Sequence, residues 1–339
     1  MNDSNSIFHG GDPAQAEARF GVPKDGWVDL STGINPVAYA PGPIPADVLH
    51  RLPLPRELDA LLAAARVAYD VPDHAAIVAS PGTQALIGLV PTLFDAADVS
   101  ILGPTYGEHA PAWAAAGHRV VGVPSMCAQA VSPAICAVLV HPNNPDGRVQ
   151  AVDGLLGYAA ELYDRGGALV VDEAFADVMP EVSVTPHAGR DGLIVLRSFG
   201  KFYGLAGMRL GFAVCTPEIA NRIAAKLGPW AVSGPAIWAG TQALNDLDWA
   251  TASRARLKSD AVRLDGLLQG AGLNLVGGTD LFRLVESSNA MSAKTVFEGL
   301  ARAGILTRPF PDHPTWLRFG LPGCEADWVR LSAALAHLI

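Results

Sequence analysis

Residues 197–212 read RSFGKFYGLAGMRLGF, with Lys201 at the centre, Ser198 and Phe199 before it, and Arg209 eight residues after it. A lysine in so apolar and glycine-rich a segment needs a specific partner for its amine, because an isolated buried cation is costly. VDEAF (171–175) ends a strongly apolar run with two carboxylates, Asp172 and Glu173, which either cap a helix at the surface or meet a cationic partner inside. SPGTQ (80–84) opens the helical pattern ALIGLVPTLF. Free N–H groups and a positive dipole end at such a turn suit a phosphate, although alone the stretch reads as an ordinary cap. GPTYGEH (103–109) sets Tyr106 in a turn, where its ring either stacks on a flat ligand or joins the core. HPNNPDG (141–147) has the composition of a plain turn. The Gly-Lys pair at 200–201 is not a P-loop, since Val195 replaces the first glycine and Phe202 the hydroxyl residue. No GxGxxG, HExxH or GxSxG element is present.

These residues sit at the ends of short apolar runs. VSILG (99–103), RVVGV (119–123), AVLVH (137–141), ALVVD (168–172), LIVLRS (193–198) and RLGFAV (209–214) read as buried strands. ELDALLAAARVAY (57–69) and GLLGYAAELYDR (154–165) read as helices. Apolar strands alternating with helices predict an α/β fold, a mostly parallel central sheet with helices on both faces, whose ligands bind beyond the carboxyl ends of the strands. After GPWAVSGPA (228–236) the texture changes to a long helical stretch running to about 270. Then come LFRLVE (281–286), a helix near 292–303, ILTR (305–308), WLRFG (316–320) and a closing helix, which predict a smaller α+β domain. The expected division is an arm over 1–45 joining the small domain, a large domain over 46–232 and a small domain over 233–339.

With 339 residues, half of them hydrophobic and 17% charged, the chain is long enough for a large core and two domains. A net charge of −9 without a basic cluster argues against a nucleic-acid or anionic-membrane partner, while leaving room for an anionic substrate in a locally positive pocket. The four cysteines show no CxxC pairing, so neither a disulfide frame nor a metal site is expected. The N-terminus lacks a basic-then-apolar signal pattern, and no apolar run reaches the ~18 residues of a membrane span, so the expectation is a soluble, cytoplasmic protein.

Taken in chain order, a phosphate-suited turn, a tyrosine, an asparagine, a strand-end aspartate and a lysine in an S-x-x-K turn resemble the fold-type I pyridoxal-phosphate enzymes. The similarity is to the aminotransferase class that includes histidinol-phosphate aminotransferase, and it spans nearly the whole chain. It implies a fold-type I PLP-dependent transferase fold and pyridoxal 5'-phosphate as cofactor. By the resemblance, Lys201 would form the internal Schiff base, for which a primary amine is required. Asp172 would pair with the pyridinium nitrogen, Asn144 would bond the ring oxygen and face the substrate, and Tyr106 would stack on the ring. Thr83, Gln84, Ser198 and Arg209 would hold the cofactor phosphate. Arg318, in WLRFG, matches the family's arginine for an anionic substrate group.

Two positions depart from the aminotransferase pattern. Phe175, at the cofactor ring, stands where those enzymes carry a tyrosine, and Leu52 stands where they place a tyrosine reaching the neighbouring subunit. FHGGD (8–12) and LSTGINP (30–36) resemble an offshoot of the family, the threonine-phosphate decarboxylases of cobalamin biosynthesis. Those enzymes convert L-threonine O-3-phosphate to (R)-1-amino-2-propanol O-2-phosphate and carbon dioxide. The two turns would bring His9, Ile34 and Asn35 to a phosphorylated substrate. The reading is therefore a decarboxylase, a carbon–carbon lyase expected as a homodimer. Its alternatives are an aminotransferase of histidinol phosphate or a related amino acid, and a cofactor-binding regulator domain. Regulators of that kind carry a basic DNA-binding module, which is not seen here.

Overall fold

The computed structural model describes residues 10–127, 133–287 and 292–337. The chain divides into two compact units, the larger holding residues 38–144 and 148–251, the smaller holding 1–37, 145–147 and 252–339.

In the larger unit seven strands form one sheet: β1 (Ala76–Ser80), β2 (Asp98–Leu102), β3 (Arg119–Val123), β4 (Cys136–Val140), β5 (Leu169–Asp172), β6 (Leu193–Ser198) and β7 (Gly211–Cys215). Their order is β1-β7-β6-β5-β4-β2-β3. Neighbours pair in parallel except at β7, which runs antiparallel to both β1 and β6. The two reversals cancel, so β1 ends at the same sheet edge as β5 and β6. Every residue of β4, β5 and β7 is buried, as expected for Val- and Leu-rich strands covered on both faces. On one face Val138, Val170, Ile194 and Ala213 pack with Leu86, Val90 and Trp113. Each Val, Leu or Ile among them, fully buried, contributes about 1.5–3 kcal/mol relative to exposure.

Three features of this unit differ from the sequence reading. The strand β1 was not foreseen, nor was the reversal of β7, because a short apolar run carries no sign of its direction. The larger unit also continues past residue 232, to Thr251. The helix Gly234–Asn245 packs on the helix Pro55–Ala68. A Cβ on Gly240 would lie 2.9 Å from Leu61 Cδ1 and 2.5 Å from Leu210 Cδ2, so the two helices approach at a residue without a side chain.

In the smaller unit four antiparallel strands run in the order Arg308–Pro309, Trp316–Gly320, Phe282–Glu286 and Asn274–Thr279. Val28–Asp29 pairs in parallel with Ile305–Leu306. The helices Pro13–Phe20, Ala293–Arg302 and Glu325–Ala336 belong to the same unit. Among the described residues no helix is long and apolar enough to cross a membrane.

Candidate active site

Where β1, β5 and β6 end, a cavity of about 180 Å³ opens, and Thr83, Gln84, Tyr106, Asn144, Asp172, Phe175, Ser198, Lys201 and Arg209 all line it. Their positions follow from the sheet. Asp172 is the last residue of β5, registered with Val140 of β4 and Leu196 of β6. Its carboxylate is buried; Oδ1 accepts from the backbone N–H of Ala174 at 3.0 Å, and Oδ2 lies 2.9 Å from Nε2 of His109. Ser198 ends β6, and the chain then turns through the short helix Phe199–Phe202, which carries Lys201. The Lys201 amine lies 5.9 Å from the centroid of the Phe175 ring.

Gly82, which lines the cavity, and Gly211 leave room for Arg209 and Thr83. Arg209 has left-handed backbone angles (φ 51°, ψ 62°), unusual for a residue with a side chain. Its Nη1 donates to the carbonyl of Ala206 at 3.0 Å. A Cβ on Gly82 would stand 2.7 Å from Arg209 Nη2, and one on Gly211 would stand 2.6 Å from the Thr83 nitrogen. Only residues lacking a side chain let guanidinium, hydroxyls and backbone nitrogens face one small space. The tyrosine end is linked rather than loose: Tyr106 Oη donates to Gln84 Oε1 at 3.3 Å, and Gln84 Nε2 donates to Glu108 Oε2 at 3.4 Å. Thr83 Oγ1 donates to the carbonyl of Arg197 at 3.2 Å.

The two acids of VDEAF take different work. Asp172 lines the cavity, whereas Glu173 turns away into a buried ion pair with Arg197 at 2.8 Å. His109 escaped the sequence reading, although it lies only three residues beyond Tyr106 in GPTYGEH.

The expected substrate residues belong to the smaller unit. Arg318 is buried in the strand Trp316–Gly320; its Nη2 donates to the Ser31 carbonyl at 2.7 Å, and its guanidinium lies 5.2 Å from the Phe282 ring centroid. Arg308, also buried and not singled out from sequence, is its register partner on the adjacent strand. Burial first, then the neighbouring charge of Arg308, pushes the Arg318 pKa well down, with Asp29 acting in the opposite direction. Asn35 is buried, and its Oδ1 accepts from Val37 N at 3.0 Å and from Arg256 Nη2 at 2.6 Å. Ile34 is half-buried, and His9 lies outside the described residues.

The profile of the aminotransferase class I and II family matches residues 57–333. The chain belongs to that family. Among class I and II relatives, the threonine-phosphate decarboxylase of Sinorhizobium sp is 45% identical over 337 residues, covering 99% of both chains. The protein of the same name from Pseudomonas aeruginosa is 42% identical over 331 residues, 97% of each chain. The class I and II fold is also that of histidinol-phosphate aminotransferase from Sinorhizobium meliloti, solved in complex with pyridoxal-5'-phosphate. That structure matches with a TM-score of 0.82 at 22% identity, covering 98% of this chain and 95% of its own. Against the class I and II pattern, Phe175 is buried at the cavity and Leu52 is 59% exposed.

Proposed function

We propose that this protein is a pyridoxal-phosphate-dependent lyase that decarboxylates L-threonine O-3-phosphate to (R)-1-amino-2-propanol O-2-phosphate and carbon dioxide, a step of cobalamin biosynthesis. The observation that carries the reading is the near end-to-end similarity to two proteins named threonine-phosphate decarboxylase. The cavity suits the cofactor on its own terms. It offers an amine (Lys201), an enclosed carboxylate (Asp172) and a cationic corner (Arg209) that a Cβ at Gly82 would fill.

When bound, pyridoxal 5'-phosphate supplies a sink for the electron pair left on the α-carbon as its bond to the carboxylate breaks. Lys201 would hold the cofactor through its amine until the substrate amine takes its place. Asp172, fixed by His109 and the Ala174 N–H, would keep a proton on the ring nitrogen. Asn144 would donate to the ring oxygen and Tyr106 would stack on the ring. Ser198, Thr83, Gln84 and Arg209 would grip the phosphate, Arg209 through charge-assisted bonds. Lys201, its amine freed by the substrate, would return a proton to the carbon that has lost the carboxylate.

Arg318, with Arg308 beside it, would bind the substrate's anionic groups. Two buried guanidiniums side by side repel, and an anion placed against them relieves both burial and repulsion. Binding there would also orient the substrate so that its carboxylate, rather than its α-hydrogen, is the group lost. Ile34 and Asn35, with His9, would complete the substrate side.

A homodimer fits the exposed apolar groove of about 540 Å³ that includes Leu54, Leu58, Ala224 and Trp230 in its lining. Free thiols at all four cysteines agree with a cytoplasmic location. The test is mass spectrometry of products from threonine phosphate with no keto acid present. Aminopropanol phosphate and carbon dioxide are expected. An aminated cofactor and a keto product would instead support the aminotransferase reading.

A further inference from the structure

Glu173 is fully buried one residue after Asp172, yet no step of the proposed reaction uses it. Four donors saturate its carboxylate: Ser183 Oγ at 2.5 Å, Val184 N at 2.6 Å, Thr185 Oγ1 at 2.7 Å and Arg197 Nη1 at 2.8 Å. Arg197 is itself buried; its Nη2 reaches Asp177 Oδ1 at 3.0 Å, and its guanidinium lies 4.3 Å from the Tyr69 ring centroid. Burial works against the Arg197 charge, but Asp177 and Glu173 outweigh it and hold the guanidinium protonated. The same residue's backbone carbonyl accepts from Thr83 Oγ1 at 3.2 Å, and Ser198 follows it in the chain.

Glu173 and Arg197 thus join two places that would grip opposite ends of one molecule. A buried charge network built on a fully bonded carboxylate has few low-energy geometries, because any shift leaves that ion without its partners. We propose that Glu173 and Arg197 are positioning residues that fix the separation between Asp172, assigned to the cofactor's ring nitrogen, and Thr83 and Ser198, assigned to its phosphate. The proposal rests on that assignment of the two ends.

The experiment follows cofactor release from holoenzyme after dilution, by visible absorbance well below the unfolding temperature, with Tm measured in parallel. Glu173→Gln should release cofactor about tenfold faster or more, as expected when an outer partner of a bound group is lost. Ser183→Ala removes one of the four donors and should shift release the same way by a smaller factor, which serves if Glu173→Gln folds poorly. Thr83→Val combined with Glu173→Gln should accelerate release by less than the product of the single effects, since the Thr83 hydroxyl that would grip the phosphate is itself held by the Arg197 carbonyl. Release at the wild-type rate in Glu173→Gln and Ser183→Ala, with only Tm lowered, overturns the positioning role. If Asp172→Ala and Thr83→Val still speed release in that case, the assignment of the two ends survives alone. Wild-type release in those two variants as well overturns both.

Discussion

His109 Nε2 lies 2.9 Å from Asp172 Oδ2, and both side chains are almost completely buried. With Ala174 N–H on the other oxygen, both carboxylate oxygens are held by protein groups at the cavity. The pair spans 63 residues of sequence, so only the sheet brings its members together.

Asp172→Asn keeps the shape and removes the charge, so the ring nitrogen should lose its proton and turnover should fall by at least ~100-fold, the scale set by losing one electrostatic stabiliser. His109→Gln leaves the charge but loosens it, and about a tenfold loss is expected. Steady-state rates with Tm as a control check both. A near-normal rate in Asp172→Asn would reduce Asp172 to a structural cap.

Purified protein should be yellow, and borohydride should fix the cofactor to the peptide containing Lys201. Lys201→Ala should retain cofactor through Arg209 and Ser198 but not turn over. Peptide mapping that puts the cofactor on Lys226 would refute the assignment. Phe175→Tyr would add a second donor to the ring oxygen beside the one proposed for Asn144. That drains basicity from the Lys201 nitrogen, so the pH midpoint of the visible band should fall.

In holoenzyme, saturating inorganic phosphate should relieve the repulsion between Arg308 and Arg318 and raise Tm by about 2 °C or more. Arg308→Ala and Arg318→Ala should each shrink that shift and raise KM for threonine phosphate while leaving the visible spectrum alone. An unchanged phosphate shift in both variants would place the anion elsewhere.

Arg51 Nη2 sits 2.5 Å from Glu57 Oε1, and with the Leu54 N–H it lowers the Glu57 pKa from 4.5 to about 2. A depressed acid stabilises the fold above its unfolded value and stops doing so as pH falls through the folded one. Glu57→Gln should therefore lower Tm at pH 7, with the deficit shrinking between pH 4.5 and 2. Thermal melts across that range decide it; a constant deficit would mean the charge plays no part.

Much of this was legible in the chain. LIVLRS and WLRFG coincide with the observed strands Leu193–Ser198 and Trp316–Gly320, because both runs are short, apolar and bounded by turn residues. The cavity residues could be named because, taken in chain order, they resemble the cofactor residues of a known family; alone, the turn at 80–84 reads as a cap and 141–147 as a plain turn. Partnerships were not legible. Nothing local marks His109 as the neighbour of Asp172, Arg197 as the neighbour of Glu173, 24 residues away, or Arg308 as the cross-strand partner of Arg318. The strand Asn274–Thr279 was missed because NLVGGT has two glycines where a strand normally shows side chains.

Gly82 and Arg209 carry one further consequence. A methyl group at position 82 would collide with the guanidinium, and the backbone at 209 is held in a conformation that costs a side-chain-bearing residue about 1–2 kcal/mol. Arg209→Gly would relax the backbone and lose the cation, while Gly82→Ala would strain a left-handed backbone (φ 84°) and push the guanidinium aside. Transplanting this cationic corner into another scaffold would therefore require moving both residues together.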